Sequence, residues 1–180
     1  KPDDFDYTIP GFAKFLGRLL DTLGYTSVDL VGHSMGGATS LTFALENPER
    51  VKRLCVVNPP MRGSDALYPF ARMAGKPVLR RAAHASFKVG WMRRYIAKDF
   101  TYKVPLPDEL LEDFGRGTFR SMTQPVLSMI RMDLAPRLRE LTCPSLLIGT
   151  DKDKVIRPVQ HDLWPRDGHF RFQRIDECGH

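Results

Sequence analysis

Apolar positions along the chain keep two rhythms. From Ile9 to Leu23 they recur at helical spacing, with Phe12, Phe15, Leu16, Leu19, Leu20 and Leu23 on one stripe. Thr8 stands ahead of that stripe as an N-cap, Pro10 falls in the first turn, and Gly24 ends the helix. A short apolar run, Ser27–Val31, then reads as a strand. The segment from Gly37 to Leu45 reads as an amphipathic helix, continuing to about Glu46 before Asn47-Pro48 breaks it. Arg53–Val57 is a second strand, stopped by Asn58-Pro59-Pro60. From Met61 to about Leu141 strand signals vanish. Helical segments dominate there, broken at Gly75-Lys76-Pro77, Val104-Pro105-Leu106-Pro107 and Gly115-Arg116-Gly117. Leu146–Ile148 reads as a third strand, a short helix follows near Val159–Leu163, and Phe170–Ile175 is the fourth strand.

Strands that alternate with helices imply a parallel sheet, and in such sheets functional residues gather at the carboxyl ends of the strands. The chain accordingly divides into an α/β core over residues 1–60, an all-α insertion over 61–141, and a return to the core over 142–180.

Composition changes this picture little. Hydrophobic residues make up 42% and charged residues 27% of the 180, ordinary values for a globular protein. No apolar run approaches the roughly 18 residues of a membrane span, so stable membrane insertion is not expected. Net charge is +6, partly concentrated in Arg72, Lys76, Arg80, Arg81, Lys88, Arg93, Arg94 and Lys98. No recognition motif accompanies that charge, so a nucleic-acid partner is not expected, and attraction of anionic substrates or an acidic surface is the better reading. Cys55, Cys143 and Cys178 are odd in number, and their spacings are not those of metal ligands. No disulfide framework, metal site or other cofactor is indicated. Reduced thiols fit a cytoplasmic location.

The chemistry is carried by Gly32-His33-Ser34-Met35-Gly36, which lies between the first strand and the helix after it. A serine hydroxyl attacks an acyl carbon only if it projects from the backbone within reach of a base. A tight strand-to-helix turn achieves both, and flanking glycines relieve the crowding and tolerate strained dihedrals. The helix that follows aims backbone N–H groups, Met35 first, at a developing oxyanion. Of the five histidines, His33 adjoins the serine in sequence and is expected to point away from it. His84 lies in the insertion, His161 on a helix, and His169 at the amino end of the fourth strand. His180 follows that strand at the carboxyl end, on a loop that Gly179 leaves free to bend. An acid is needed to fix the base's tautomer, and Asp151 and Asp153 both follow the third strand at its carboxyl end.

These segments resemble the cap-bearing branch of the α/β-hydrolase superfamily. Thr26-Ser-Val-Asp-Leu-Val-Gly-His-Ser-Met-Gly-Gly37 looks like its nucleophile elbow, and Asn47-Pro-Glu-Arg-Val-Lys-Arg-Leu54 like its link to the next strand. Pro144-Ser-Leu-Leu-Ile-Gly149 looks like its acid-bearing strand, and Glu177-Cys-Gly-His180 like its histidine loop. The resemblance implies an incomplete parallel-sheet core carrying a helical cap, with Ser34, Asp153 and His180 as a catalytic triad. Its acid pattern is displaced here, with Lys152 in the expected slot. Asp153 is preferred to Asp151 because Asp153-Lys-Val-Ile-Arg-Pro158 keeps the downstream pattern. The other usual acid position, after the second strand, holds the uncharged Asn58.

The implied function is hydrolysis of a carboxylic ester or related acyl small molecule without metal or cofactor, in a pocket shaped by the cap. Phe70, Met73, Phe87, Trp91, Met92, Tyr95 and Met122 are candidate lining residues. Hydrolysis of a carbon–carbon bond by the same triad is the second enzymatic reading. A non-catalytic binding module, or an inactive fragment, is the reading from another class. The resemblance further implies earlier strands, a His-Gly loop with a second oxyanion donor, and a final helix, none present in these 180 residues. By themselves the residues are therefore expected to be poorly soluble and essentially inactive. Nothing in the sequence names the oligomeric state.

Overall fold

The computed structural model describes residues 2, 4–67, 76–98 and 101–180, without the side chains of Pro77, Phe87, Ile96, Ala97 and Phe114. Phe70 and Met73 lie outside the described residues. The chain opens with helix α1, Ile9–Thr22, where the Thr8 hydroxyl accepts a hydrogen bond from the Gly11 N–H at 3.1 Å. That bond satisfies one of the orphan donors of the first turn. The apolar stripe on α1 divides. Leu20 is buried and Leu16 packs on the core, but Phe15, Leu19 and Leu23 are exposed. Small residues set the buried face instead, because Ala13 and Gly17 let the helix come close to Phe43.

Strand β1, Val28–His33, leads into helix α2, Met35–Glu46, and then into strand β2, Val51–Val57. Helix α2 is buried along nearly all of Gly37–Leu45 rather than on one face. The expectation of an amphipathic helix gives way to that of a central one, and the buried Thr42 satisfies its hydroxyl on the Ala38 carbonyl at 2.9 Å. Strand β3, Ser145–Thr150, and strand β4, Phe170–Ile175, complete an all-parallel sheet in the order β1-β2-β3-β4. The strands reach further than their apolar runs. Gly32 and His33 stay in the ladder opposite Val56 and Val57, and Gly149 and Thr150 opposite Arg174 and Ile175.

Side-chain alternation gives the sheet two faces. Leu30, Leu54, Val56, Leu147 and Phe170 point into a core shared with Leu41, Phe43 and Leu45 of α2, Leu138, Leu141 and Trp164. The opposite face carries Val31, Cys55 and Leu146 across neighbouring strands, and there Val31 is 77% exposed.

Between β2 and β3 the described residues form helices α3 (Gly63–Ala66), α4 (Pro77–Lys88), α5 (Gly90–Ala97), α6 (Asp108–Arg116) and α7 (Phe119–Arg131). The chain leaves and re-enters this excursion at one place. Arg62 bridges Asp133, the Gly63 N–H donates to the Met132 carbonyl, and the Leu134 N–H donates to the Met61 carbonyl, both at 2.8 Å. Among the described residues no helix is long and apolar enough to cross a membrane.

Candidate active site

Ser34 stands where β1 becomes α2, with φ 53° and ψ −121°. A residue with a Cβ is costly in that conformation, by about 1–3 kcal/mol, and persists only where its surroundings hold it. Here they do. The Ser34 N–H donates to the Val57 carbonyl of β2 at 2.8 Å, and its carbonyl accepts from the Ala38 N–H at 3.1 Å. The turn is also crowded, though on one side only. A Cβ on Gly32 would lie 2.5 Å from the Gly36 carbonyl oxygen and 2.6 Å from the Ser40 hydroxyl, whereas one on Gly36 would meet nothing within 4 Å. The expectation that both flanking glycines relieve the crowding therefore holds for Gly32 alone. Met35 is the first residue of α2, so its N–H belongs to the helix end where backbone donors lack intrahelical partners.

Of the two aspartates beyond β3, Asp153 is the one bonded to the histidine. Its Oδ2 accepts from His180 Nδ1 at 2.7 Å, and its Oδ1 accepts from the N–H groups of Val155 and Ile156 at 2.7 and 2.8 Å. Asp153 is 2% exposed, and a carboxylate so buried requires this saturation of its acceptors. Donation through Nδ1 fixes the imidazole tautomer and leaves proton transfer to Nε2. Asp151 does something else. Its carboxylate pairs with Lys152 at 2.8 Å and accepts from the Cys178 N–H at 3.4 Å, which ties the two loops together. The Lys152 hydrogen bond, chiefly, holds the Asp151 carboxyl below the usual range.

Two residues that alternation and charge set aside belong to this neighbourhood. The His33 ring lies against that of His180, with centroids 4.5 Å apart and planes at 47°. Burial, and then the proximity of His180, push the His33 imidazole below its ordinary pKa. His33 was set aside for being next to Ser34 in sequence, yet the loop that carries His180 reaches it at the strand end. The second is Asn58, with φ 42°, which exchanges two hydrogen bonds with Thr150: Asn58 Nδ2 to Thr150 Oγ1 at 2.7 Å, and Thr150 N–H to Asn58 Oδ1 at 3.0 Å. The Thr150 hydroxyl then donates to the Gly179 carbonyl at 2.8 Å. Polar residues at the ends of the second and third strands, Asn58 and Thr150, were the only signal in the sequence for this tie.

The remaining histidines are engaged elsewhere. His84 Nε2 is 3.3 Å from the Gly117 carbonyl and His169 Nε2 is 2.8 Å from that of Leu141, while His161 is buried in the turn Pro158–Leu163. Trp91, on α5, is 72% exposed, and Met122, on α7, is half-buried. Phe87 is on α4, and its side chain lies outside the described residues.

Comparison with known proteins bears on the origin of this arrangement. The 2-hydroxy-6-oxo-6-phenylhexa-2,4-dienoate hydrolase of Comamonas testosteroni is 27% identical over 179 residues, covering 93% of this chain and 61% of that protein. A homoserine O-acetyltransferase of Thermus thermophilus is 38% identical over 73 residues, 41% of this chain and 19% of its own. The chain thus spans about three-fifths of the length of the first of these curated relatives. Among solved structures, an esterase from Exiguobacterium antarcticum superposes with a TM-score of 0.74 at 20% identity, covering 97% of this chain and 67% of its own. A 2-hydroxy-6-oxo-6-phenylhexa-2,4-dienoate hydrolase from Rhodococcus sp. strain RHA1 does so with a TM-score of 0.74 at 19% identity, covering 99% and 68%. These two likenesses establish a common fold, and the family model is matched from the first residue to the last: over residues 1–180, the chain belongs to the alpha/beta hydrolase family.

Proposed function

We propose that the protein is a serine hydrolase that cleaves a carboxylic ester or a related acyl compound. The observation that carries this reading is the 2.7 Å bond from His180 Nδ1 to the buried Asp153, on loops at the same end of the sheet as the strained turn at Ser34. In the reaction, His180 Nε2 takes the Ser34 proton as Oγ adds to the acyl carbon. The Met35 N–H stabilises the oxyanion, and Asp153 stabilises the imidazolium. The imidazolium returns the proton to the departing alcohol, leaving an acyl-enzyme. Water, deprotonated by the same nitrogen, attacks the acyl carbon, and the acid leaves as Ser34 recovers its proton. The helical excursion, roughly 61–141, acts as a cap over the acyl or alcohol group, with Phe87, Trp91 and Met122 as its contacts. No metal or cofactor enters these steps.

A second reading, hydrolysis of a carbon–carbon bond, is supported by the Comamonas relative, which is named a 2-hydroxy-6-oxo-6-phenylhexa-2,4-dienoate hydrolase. The same residues would then act on a carbonyl whose leaving group is carbon.

A fluorophosphonate probe tests the shared chemistry. In the full-length parent, labelling is expected at Ser34 and is expected to vanish in Ser34→Ala, together with turnover of short p-nitrophenyl esters. Asp153→Asn should lower kcat by about 10⁴, the order found when a triad carboxylate is neutralised, and Asp151→Asn by much less. Full labelling of Ser34→Ala, or the reverse ranking of the aspartates, would refute the assignment. Turnover of a 2-hydroxy-6-oxo-dienoate in preference to esters would select the second reading.

A further inference from the structure

The loop that presents His180 leaves β4 at Ile175 without regular structure of its own, and it is held from two sides. On one side lies the acid loop. The Asp151 N–H donates to the Ile175 carbonyl at 3.3 Å and the Lys152 N–H to the Cys178 carbonyl at 3.0 Å. On the other side lies the irregular stretch Thr101–Lys103, between α5 and α6. The two backbones touch there, since a Cβ on Gly179 would sit 2.8 Å from the Tyr102 nitrogen.

Glu177 stands between these neighbours. Its Oε2 accepts from the Tyr102 hydroxyl at 3.1 Å and from Lys103 Nζ at 2.6 Å, and its Oε1 lies 3.6 Å from Lys152 Nζ. Glu177 has φ 55° and Lys103 has φ 63°, a left-handed conformation unfavourable for residues that carry a Cβ. The chain therefore turns unfavourably at both partners of the ion pair. The Lys103 hydrogen bond, then that from Tyr102, holds the Glu177 carboxyl below its ordinary range, so the contact stays charged at neutral pH.

Resting on the reading of His180 as the general base, we propose that Glu177 is a positioning residue, clamping the His180 loop between the helical excursion and the acid loop. Its contacts are with Tyr102, Lys103 and Lys152, and it acts on the reaction only through the place it gives the imidazole. The base is then registered to the 101–103 stretch, so a shift of that stretch is felt at His180. The clamp is exposed to solvent, with Lys103 and Glu177 side chains 66% and 59% accessible. Exposed pairs are screened by salt and each contributes at most about a five-fold change in an equilibrium.

The test compares the protein with its Glu177→Gln and Tyr102→Phe variants. One readout is the proton NMR signal of the His180 Nδ1–H, assigned by its loss in His180→Gln. The other is ester turnover at low and high salt. In Glu177→Gln the Nδ1 proton is expected to broaden by faster exchange. At low salt kcat should fall about five-fold with KM nearly unchanged, and the salt dependence of kcat should flatten. Tyr102→Phe should give the same pattern, more weakly. An Nδ1 proton and salt profile like those of the unsubstituted protein would overturn the proposal. So would a kcat loss that only tracks a lower melting temperature. If the triad reading itself fails, Ser34→Ala retains activity, while the NMR comparison still decides whether Glu177 holds the ring.

Discussion

Gly32 and Gly36 flank Ser34 in one motif, yet the fold asks different things of them. A methyl group at Gly32 meets a backbone carbonyl at 2.5 Å, which cannot yield without moving the first turn of α2. Gly32→Ala is therefore expected to lower stability by about 1–3 kcal/mol or more, read as a fall in Tm. Gly36→Ala places its methyl in open space within a helix, where alanine is favoured by up to about 1 kcal/mol, so Tm should hold or rise. At this scale the sequence was legible where a residue type has few structural excuses. A serine between glycines, a histidine after the last strand and an aspartate after the third stood out, and the structure joins His180 to Asp153. His33 and Glu177 did not stand out. Their placement depends on where a loop folds, which neither alternation nor spacing encodes.

The ends of β2, β3 and β4 are coupled as elements. Asn58 after β2 holds Thr150 at the end of β3, and Thr150 holds Gly179 in the loop after β4. Thr150→Val keeps the shape but removes the hydroxyl, leaving the Asn58 amide, in a residue 1% exposed, without that acceptor. A loss of about 1–3 kcal/mol is expected in chemical denaturation, with Thr150→Ser close to the unsubstituted protein. An unchanged midpoint for the valine variant would show that the tie does not matter. Strand existence was readable from apolar runs, and Phe170–Ile175 is found with the bounds those runs gave. Strand ends were not, because Gly32, His33, Gly149 and Thr150 are kept in the sheet by pairing rather than by apolarity. The stripe on α1 misled for a related reason. It counted Phe15, Leu19 and Leu23, while close approach to the core depended on Ala13 and Gly17.

For the molecule as a whole, the unequal faces of the sheet are decisive. One is packed by helices. The other leaves Val31 beside Cys55 and Leu146, and β1 forms an edge of the described sheet. Apolar surface next to an unpaired strand edge favours association between copies. A solution of these 180 residues is expected to self-associate as concentration rises, and Val31→Lys to reduce this in sedimentation velocity. Concentration-independent monomer for the unsubstituted chain would count against it. The alternation of strands and helices made the parallel sheet readable in advance. It could not say which face stays bare, because that depends on where each connecting helix lies.

The chain departs from the sheet at Met61–Gly63 and comes back beside itself at Met132–Leu134, through an opening closed by the Arg62–Asp133 bridge. Beyond this root the described residues of the excursion touch the core again, at the Leu67–Ile156 bridge and where Met129 packs with Ile9 and Ala38. An excursion of different size can be exchanged at such a root without changing strand order or pairing, provided that its contacts with the core are kept. A replacement that lost the 101–103 stretch would free one side of the His180 loop, so what is grafted at this root is felt at the end of the sheet.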